Sequence, residues 1–360
     1  MKIAQVAPII ERIPPKKYGG TERVVYALVE ELVKRGHDVT LFASGDSLTS
    51  AKLVSVYPKS LKESKFKDLY GANVYTLLNI GLSYHLEREF DIIHDHNGYF
   101  SLPTANVART PVVMTYHGPI TPDVRQIHEV LRRPYLVSIS KSQAKAAPNL
   151  RWAGTVYNGL EMSHYPFSNH PGRYLLFVGR ISEEKGVHHA ITVAKLLNLP
   201  LIIAAKLETA ASWDVDYFKK RIKPHLNRQI RWVGEVDEKK RNKLMAGALA
   251  FLHPVTWQEP FGLTLIESMA CGTPVVAFDK GSIPEIVDDG KSGFVVRTIK
   301  QMVRAVKKTA KLNRQEIRRY ALANFNAKKM TEGYLKIYEQ ILKAQTPPDL
   351  TFDNRLIYAH

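Results

Sequence analysis

Two carboxylates stand inside an otherwise apolar run, HPVTWQEPFGLTLIESMACGTPVVAF (His253–Phe278). Pro260 disfavours helical backbone at the residue before it, which puts Glu259 in a loop. Glu267 falls inside GLTLIESMA, where Leu263, Leu265, Ile266, Met269 and Ala270 leave little polar face, so that helix is expected to be buried. An unpaired carboxylate there would cost several kcal/mol. Glu267 therefore either has a structural partner or lines a cavity in which a ligand completes its hydrogen bonds. An ionised carboxylate only accepts hydrogen bonds, which suits the two hydroxyls of a ribose. Between the glutamates, the backbone N–H groups of Phe261, Gly262 and Leu263 open the helix and face an anion. A phosphate flanked by a ribose-binding and a sugar-binding carboxylate describes a nucleotide sugar.

Three other groups carry chemistry. In GRISEEKG (Gly179–Gly186) a hydrophobic strand ends on Arg180, and a short loop delivers Lys185 to the next helix. An arginine fork and a lysine point charge could clamp a pyrophosphate there; the alternative is a surface ion pair with Glu183 or Glu184. In YGGTERVV (Tyr18–Val25) Gly19 and Gly20 lead into a helix whose N-terminus suits a phosphate, the alternative being a flexible turn before a capped helix. In TYHGPI (Thr115–Ile120) His117 follows a strand of valines, where an α/β protein exposes its chemistry, although a lone histidine is more often structural. His94 and His96, with Asp95 between them, invite a metal. The two rings, alternating along a strand end, are taken to point to opposite faces, so no metal is expected.

These residues need strand ends to hold them. Strand patterns occur at KIAQVAP (Lys2–Pro8), DVTLFAS (Asp38–Ser44), FDIIHDH (Phe90–His96), TPVVMTYHG (Thr110–Gly118) and YLVSIS (Tyr135–Ser140). Between the first two, TERVVYALVEELVKRG (Thr21–Gly36) has helical spacing, opens on a capping-type threonine and closes on glycine. The pattern restarts after the turn-rich loop at Asn158–Arg173. It runs through YLLFVGR, a helix from about Val187, LPLIIAAK, QIRWVGEV, ALAFLHP, the helix after Phe261, TPVVAF and SGFVV. The expected fold class is α/β: two Rossmann-like, doubly wound parallel-sheet domains facing across a cleft, with ligands at the carboxyl ends of the strands.

Length fits two domains at roughly 150 residues each. With 45% apolar and 24% charged residues, a mainly disordered chain is excluded. No run reaches the roughly 20 apolar residues of a spanning helix, and the N-terminus is too short in its apolar part for a signal peptide, so a cytoplasmic protein is expected. The single cysteine, Cys271, rules out an internal disulfide and a cysteine-based zinc site. The net charge of +17 implies an anionic partner. Nucleic acid is disfavoured because the basic residues lack interleaved aromatics. An anionic membrane surface is suggested by YPKSLKESKFKDLY (Tyr57–Tyr70), although a solvated helix face explains that stretch more cheaply. A nicotinamide-dependent oxidoreductase, with Asp46 as the ribose-binding acid, lacks G-x-G-x-x-G and has too long a loop from Pro8 to Gly20.

Taken in order, GGTERVV, DIIHDH, TYHG, VSIS, VYNG, VGRISEEKG, the E-x7-E segment EPFGLTLIE, ESMACGTPVVA and GSIPEIVDDGKSGF resemble the glycosyltransferases of family 4, which have the GT-B fold. The resemblance covers almost the whole chain, and implies that Arg180 and Lys185 hold the donor's diphosphate with Gly19, Gly20 and the amides of Phe261, Gly262 and Leu263 around it. It implies that Glu267 binds the ribose, that Glu259 contacts the transferred sugar, and that His117 lies near that sugar's 6-hydroxyl. His117, Glu259, Arg180 and Lys185 are thus the catalytic candidates, and Glu22, Asp95 and His96 the acceptor contacts. A retaining, metal-independent transfer is implied, with no cofactor beyond the nucleoside-diphosphate sugar. Residues 1–160 would form the acceptor domain, 161–172 a linker and 173–330 the donor domain. A helix at Thr331–Gln345 and the tail to residue 360 would return to the first domain. YGGTERVV and FASGDS are most like members acting on small molecules with UDP-glucose. The acceptor, a small molecule, glycan or lipid, would depend on loops around Ile9–Lys17, Val54–Tyr70 and Gly98–Thr104.

Overall fold

The computed structural model describes residues 1–17, 19–64 and 69–344. Tyr18, the centre of the lysine-rich stretch at 65–68 and the tail after 344 lie outside the described residues. The chain divides into two compact units. Unit 1 comprises Met1–Pro15, Gly19–Leu160 and the described chain from Ala327 to Ala344, and unit 2 comprises chiefly Glu161–Asn326.

Unit 1 contains strands β1 (Lys2–Val6), β2 (Asp38–Phe42), β3 (Lys52–Val54), β4 (Ile92–Asp95), β5 (Val112–Thr115), β6 (Tyr135–Ser138) and β7 (Trp152–Thr155). Their order in the sheet is β3-β2-β1-β4-β5-β6-β7, and every pairing is parallel. Parallel strands covered on both faces read as continuous apolar runs, as the central ones do. The edge strands β3 and β7 are short and half-exposed, and were absent from the sequence expectation for that reason. The first helix, Gly20–Lys34, is capped by Gly19 without a side-chain bond, so Thr21 lies inside it rather than capping it. The returning helix, Ala327–Lys343, starts four residues earlier than its apolar spacing suggested and buries Met330, Tyr334, Ile337, Tyr338 and Ile341.

Unit 2 contains β8 (Leu175–Arg180), β9 (Leu201–Lys206), β10 (Ile230–Trp232), β11 (Ala250–His253), β12 (Val275–Phe278) and β13 (Gly293–Val296), ordered β10-β9-β8-β11-β12-β13, again all parallel. Residues 161–172 do not stand apart as a linker. Arg318 donates to the carbonyls of Ser163 and Tyr165, and Arg314 to that of Ser168, which binds the segment into unit 2. In the lysine-rich stretch the described elements are a 3-10 turn, Leu61–Glu63, and the start of the helix Leu69–His85. Among the described residues no helix is long and apolar enough to cross a membrane.

In both sheets chain order reverses beside the first strand, between β1 and β4 and between β8 and β11. At such a point the loops leaving adjacent strands diverge and open a crevice at their carboxyl ends.

Candidate active site

In unit 2 the loops leaving β8 and β11 at that point bring together two of the residues chosen from sequence, Lys185 and Glu259. The loop leaving β8 carries the turn Glu183–Lys185 and then Gly186, at φ 73°; a Cβ there would lie 2.0 Å from the carbonyl oxygen of Pro254. Close approach of the two loops is what lets Lys185 reach the loop after β11. Its Nζ donates to Glu259 Oε2 at 2.9 Å and lies 4.4 Å from the centroid of the Trp257 ring. Trp257 Nε1 donates to the same oxygen at 3.0 Å, and His253 Nε2 stands 3.4 Å from it, long for a hydrogen bond. Burial alone would raise the Glu259 pKa, but the Lys185 ammonium and His253 overcome it and hold the carboxyl at about 2. Gly281, at φ 59°, packs so tightly that a Cβ would lie 2.3 Å from the Glu259 carbonyl oxygen, and Ser282 N donates to that oxygen. Glu259 is thus fixed as an anion on three sides.

Arg180 takes the alternative course. Its Nη2 donates to Glu184 Oε1 at 3.0 Å, and Ser182 Oγ shares that oxygen at 2.7 Å. The two cations therefore have separate carboxylate partners. Glu267 is fully buried and has a structural partner, as the first of its two readings required: Arg241 Nη2 donates to its Oε1 at 2.7 Å. The helix Leu263–Ala270 begins after Gly262, where Ser282 Oγ donates to the Phe261 carbonyl.

In unit 1 the carboxyl ends of β4 and β5 border a cavity of about 750 Å³, whose lining includes Thr21, His96, Tyr99, Phe100, Tyr116, His117 and Asp123. Asp95 does not line it. It is fully buried and accepts from Tyr84 Oη, Asn97 N, Asn97 Nδ2 and Ser101 Oγ, so its role is to shape the loop after β4. Glu22 is also absent from the lining. It is buried beside Gly19, and burial raises its carboxyl to about 7.

The histidines correct a second expectation. Residues two apart on a strand share a face, and the rings of His94 and His96 lie 4.1 Å apart, centroid to centroid. His117 is not alone either. A directed chain of hydrogen bonds fixes all three rings. Gln5 Oε1 can only accept, so His96 donates to it from Nε2 at 2.9 Å. His96 Nδ1 must then accept, and His117 donates to it from Nε2 at 3.0 Å. Gln5 Nε2 donates to Tyr338 Oη at 3.3 Å, which donates to His94 Nδ1 at 2.6 Å. His94 Nε2 ends the run on Thr115 Oγ1 at 2.8 Å. His117 Nδ1 is left as a bare acceptor, buried and without a protein partner. Burial lowers the pKa of all three, that of His117 to about 4, so the rings are neutral at pH 7.

Trp257, His253, Arg241, Ser282 and Gln5 had no assignment from sequence. His253 and Trp257 stand in the same short run as Glu259, which is the cue that was there to be used. His117 belongs to unit 1, whereas Glu259, Arg180 and Lys185 belong to unit 2.

Two family models match the chain: glycosyl transferases group 1 over residues 165–329 and glycosyltransferase family 4 over residues 18–156. The chain is 27% identical over 332 residues to a glycogen synthase of Mycobacterium tuberculosis, covering 78% of this chain and 79% of the relative. Among solved structures, AviGT4, a glycosyltransferase involved in avilamycin A biosynthesis, matches with a TM-score of 0.72 at 24% identity, covering 95% of this chain and 98% of its own. Anabaena HepE in complex with UDP and glucose matches with a TM-score of 0.72 at 18% identity, covering 94% and 100%. At these identities the structures testify to the fold.

Proposed function

The chain belongs to the group 1, family 4 glycosyltransferases, with the two parallel-sheet units of the GT-B fold, and we propose that it moves a hexose from a nucleoside-diphosphate sugar to a hydroxyl acceptor. Retention at the anomeric carbon, independence of metal, and UDP-glucose as donor complete the proposal; the last is supported by the ligands of HepE. The observation that carries it is the contact of Lys185 with Glu259 where chain order reverses in unit 2. It brings a cation and a fixed, acceptor-only carboxylate together at the carboxyl ends of two adjacent strands. Unit 2 is then the donor domain and unit 1 the acceptor domain.

In this reading Glu259 accepts from the sugar's hydroxyls, and Glu267, oriented by Arg241, accepts from the ribose. Lys185, Arg180 and the amides at the start of the helix Leu263–Ala270 stabilise charge growing on the leaving diphosphate. The bond from the anomeric carbon to phosphate oxygen breaks as the bond to the acceptor oxygen forms on the same face. The acceptor's proton passes to the departing phosphate. His117, neutral and with Nδ1 bare, is assigned to a substrate hydroxyl.

Thermal unfolding with UDP, GDP and ADP in chelator tests the donor half. One nucleotide at a hundred times its Kd should stabilise the protein by about 2.7 kcal/mol, and Lys185→Ala should weaken that response. A flat response to all three would sink the proposal. A second reading, peripheral contact with an anionic membrane, is favoured by Val74, Leu77 and Leu78, which are exposed on the helix Leu69–His85 beside the lysine-rich stretch. Vesicles with and without anionic lipid decide it by sedimentation; absence of pelleting removes it.

A further inference from the structure

Three side chains of unit 2 crowd one oxygen of Glu259. Lys185 Nζ, Trp257 Nε1 and His253 Nε2 stand 2.9, 3.0 and 3.4 Å from Oε2. Of the three, only Lys185 carries a charge at neutral pH, and in the donor reading it has a second duty, because it also meets the diphosphate of the sugar nucleotide. That group is a dianion. Drawing the ammonium toward it weakens the pair with Glu259, and leaves a buried carboxylate whose nearest remaining donor, the indole N–H of Trp257, is neutral. A buried anion that loses its cation is costly.

His253 is placed to make good that loss. It ends β11, is only 3% exposed, and neither of its ring nitrogens has a hydrogen-bond partner among the described residues. Two unsatisfied polar atoms in a core call for a reason, since a phenylalanine would fill such a place without them. The strand beside it sets Ala277 opposite, which is apolar, and the charged groups that act on the ring are Glu259 and Lys185. Burial, the largest influence, and the Lys185 ammonium hold the imidazole below its ordinary pKa of 6.5, against the pull of Glu259. Withdrawing the ammonium and bringing in a dianion both act in the opposite sense and favour the charged ring.

We propose that His253 is a positioning residue that takes up a proton as Lys185 turns to the donor's diphosphate, so that Glu259 keeps a cationic partner and stays ionised while the sugar is bound. The proton comes from solvent and adds to a ring nitrogen; its charge offsets part of the negative charge the diphosphate brings, and it returns to solvent when the nucleotide leaves. The inference rests on the donor reading of unit 2. It concerns what holds Glu259 in place during that binding, and acts through Glu259 rather than on the substrate.

Two measurements test it. The first needs no nucleotide. The His253 ring, identified in nitrogen-15 NMR by its loss in His253→Gln, should titrate about one pH unit higher in Lys185→Met than in the parent, the effect of removing one nearby like charge. An unmoved midpoint would overturn the inference. The second is calorimetric titration of the parent at pH 7 with UDP-glucose, GDP-mannose and ADP-glucose, whose diphosphates do not titrate near that pH, in buffers of low and high ionisation enthalpy. The sugar nucleotide that binds should draw protons from the buffer, so that its heat differs between buffers, and the difference should vanish in His253→Gln. By linkage, the parent's affinity should fall as pH rises between about 6 and 8, while that of His253→Gln stays level. Heat independent of buffer, or proton uptake that survives in His253→Gln and so belongs to Glu259, would overturn the inference and leave the donor reading standing. No binding by any of the three would sink the donor reading and the inference with it.

Discussion

A carboxylic acid buried in the first turn of a helix is under opposing influences, and at Glu22 burial prevails over the helix amide and Lys62. Because its folded pKa, about 7, exceeds the ordinary 4.5, the native state binds the extra proton, and stability is lost as pH rises between those values. Glu22→Gln should therefore be no more stable than the parent near pH 4 but more stable at pH 8, by up to about 3 kcal/mol. Urea unfolding at both pH values measures this, and a constant difference would show that the carboxyl ionises freely. Glu267 presents the opposite case, a charge matched by another charge. Glu267→Ala should cost about 3–5 kcal/mol by leaving buried Arg241 with the longer contact to half-exposed Glu238, Nη2 to Oε2 at 3.4 Å, while the double replacement of Glu267 and Arg241 by leucine should recover most of it. Recovery failing in urea unfolding would mean that the pair is not the source of the cost. The positions of the two glutamates were legible in the sequence because their causes are local: Pro260 follows one, and apolar neighbours surround the other. Their partners were not, since Lys185 is 74 residues from Glu259 and Arg241 is 26 from Glu267.

Among elements, β1, β4, β5 and the returning helix Ala327–Lys343 are joined by one hydrogen-bonded run, and the state of His117 depends on all of them. Gln5→Leu removes the acceptor that holds the proton on His96 Nε2, so the preference for a bare Nδ1 on His117 should fade. Nitrogen-15 NMR of the histidine rings reads this directly; an unchanged His117 tautomer would mean that the run does not set it. With His117 lowered to about 4 by burial, its contribution to stability is complete above the ordinary pKa of 6.5 and is lost as pH falls toward 4. That loss should approach about 3 kcal/mol, and an NMR midpoint between 6 and 7 would contradict it. Most strands were recognisable as buried apolar runs. The exceptions, β3 and β7, are edges with little to bury, and the facing of His94 and His96 was misjudged although spacing alone determines it. Gln5 and Tyr338 carried no local cue, since the bonds that give them meaning span 91 and 244 residues.

For the molecule as a whole, unit 1 is made from two main lengths of chain, the first briefly interrupted after Pro15, with most of unit 2 between them. Its core is completed by the returning helix, where Tyr334 and Tyr338 are among the largest fully buried side chains. A fragment of residues 1–160 should accordingly be poorly folded alone and gain protease resistance when a 327–344 peptide is added; resistance without the peptide would show the helix to be dispensable. The same arrangement dictates an order of events during synthesis. Unit 2 is synthesised entire before the helix that closes unit 1. At about 5–20 residues per second, the seven-stranded sheet of unit 1, complete by Thr155, must wait on the order of 10–40 s with the slot for two tyrosines open, a window in which that apolar slot is exposed to other chains.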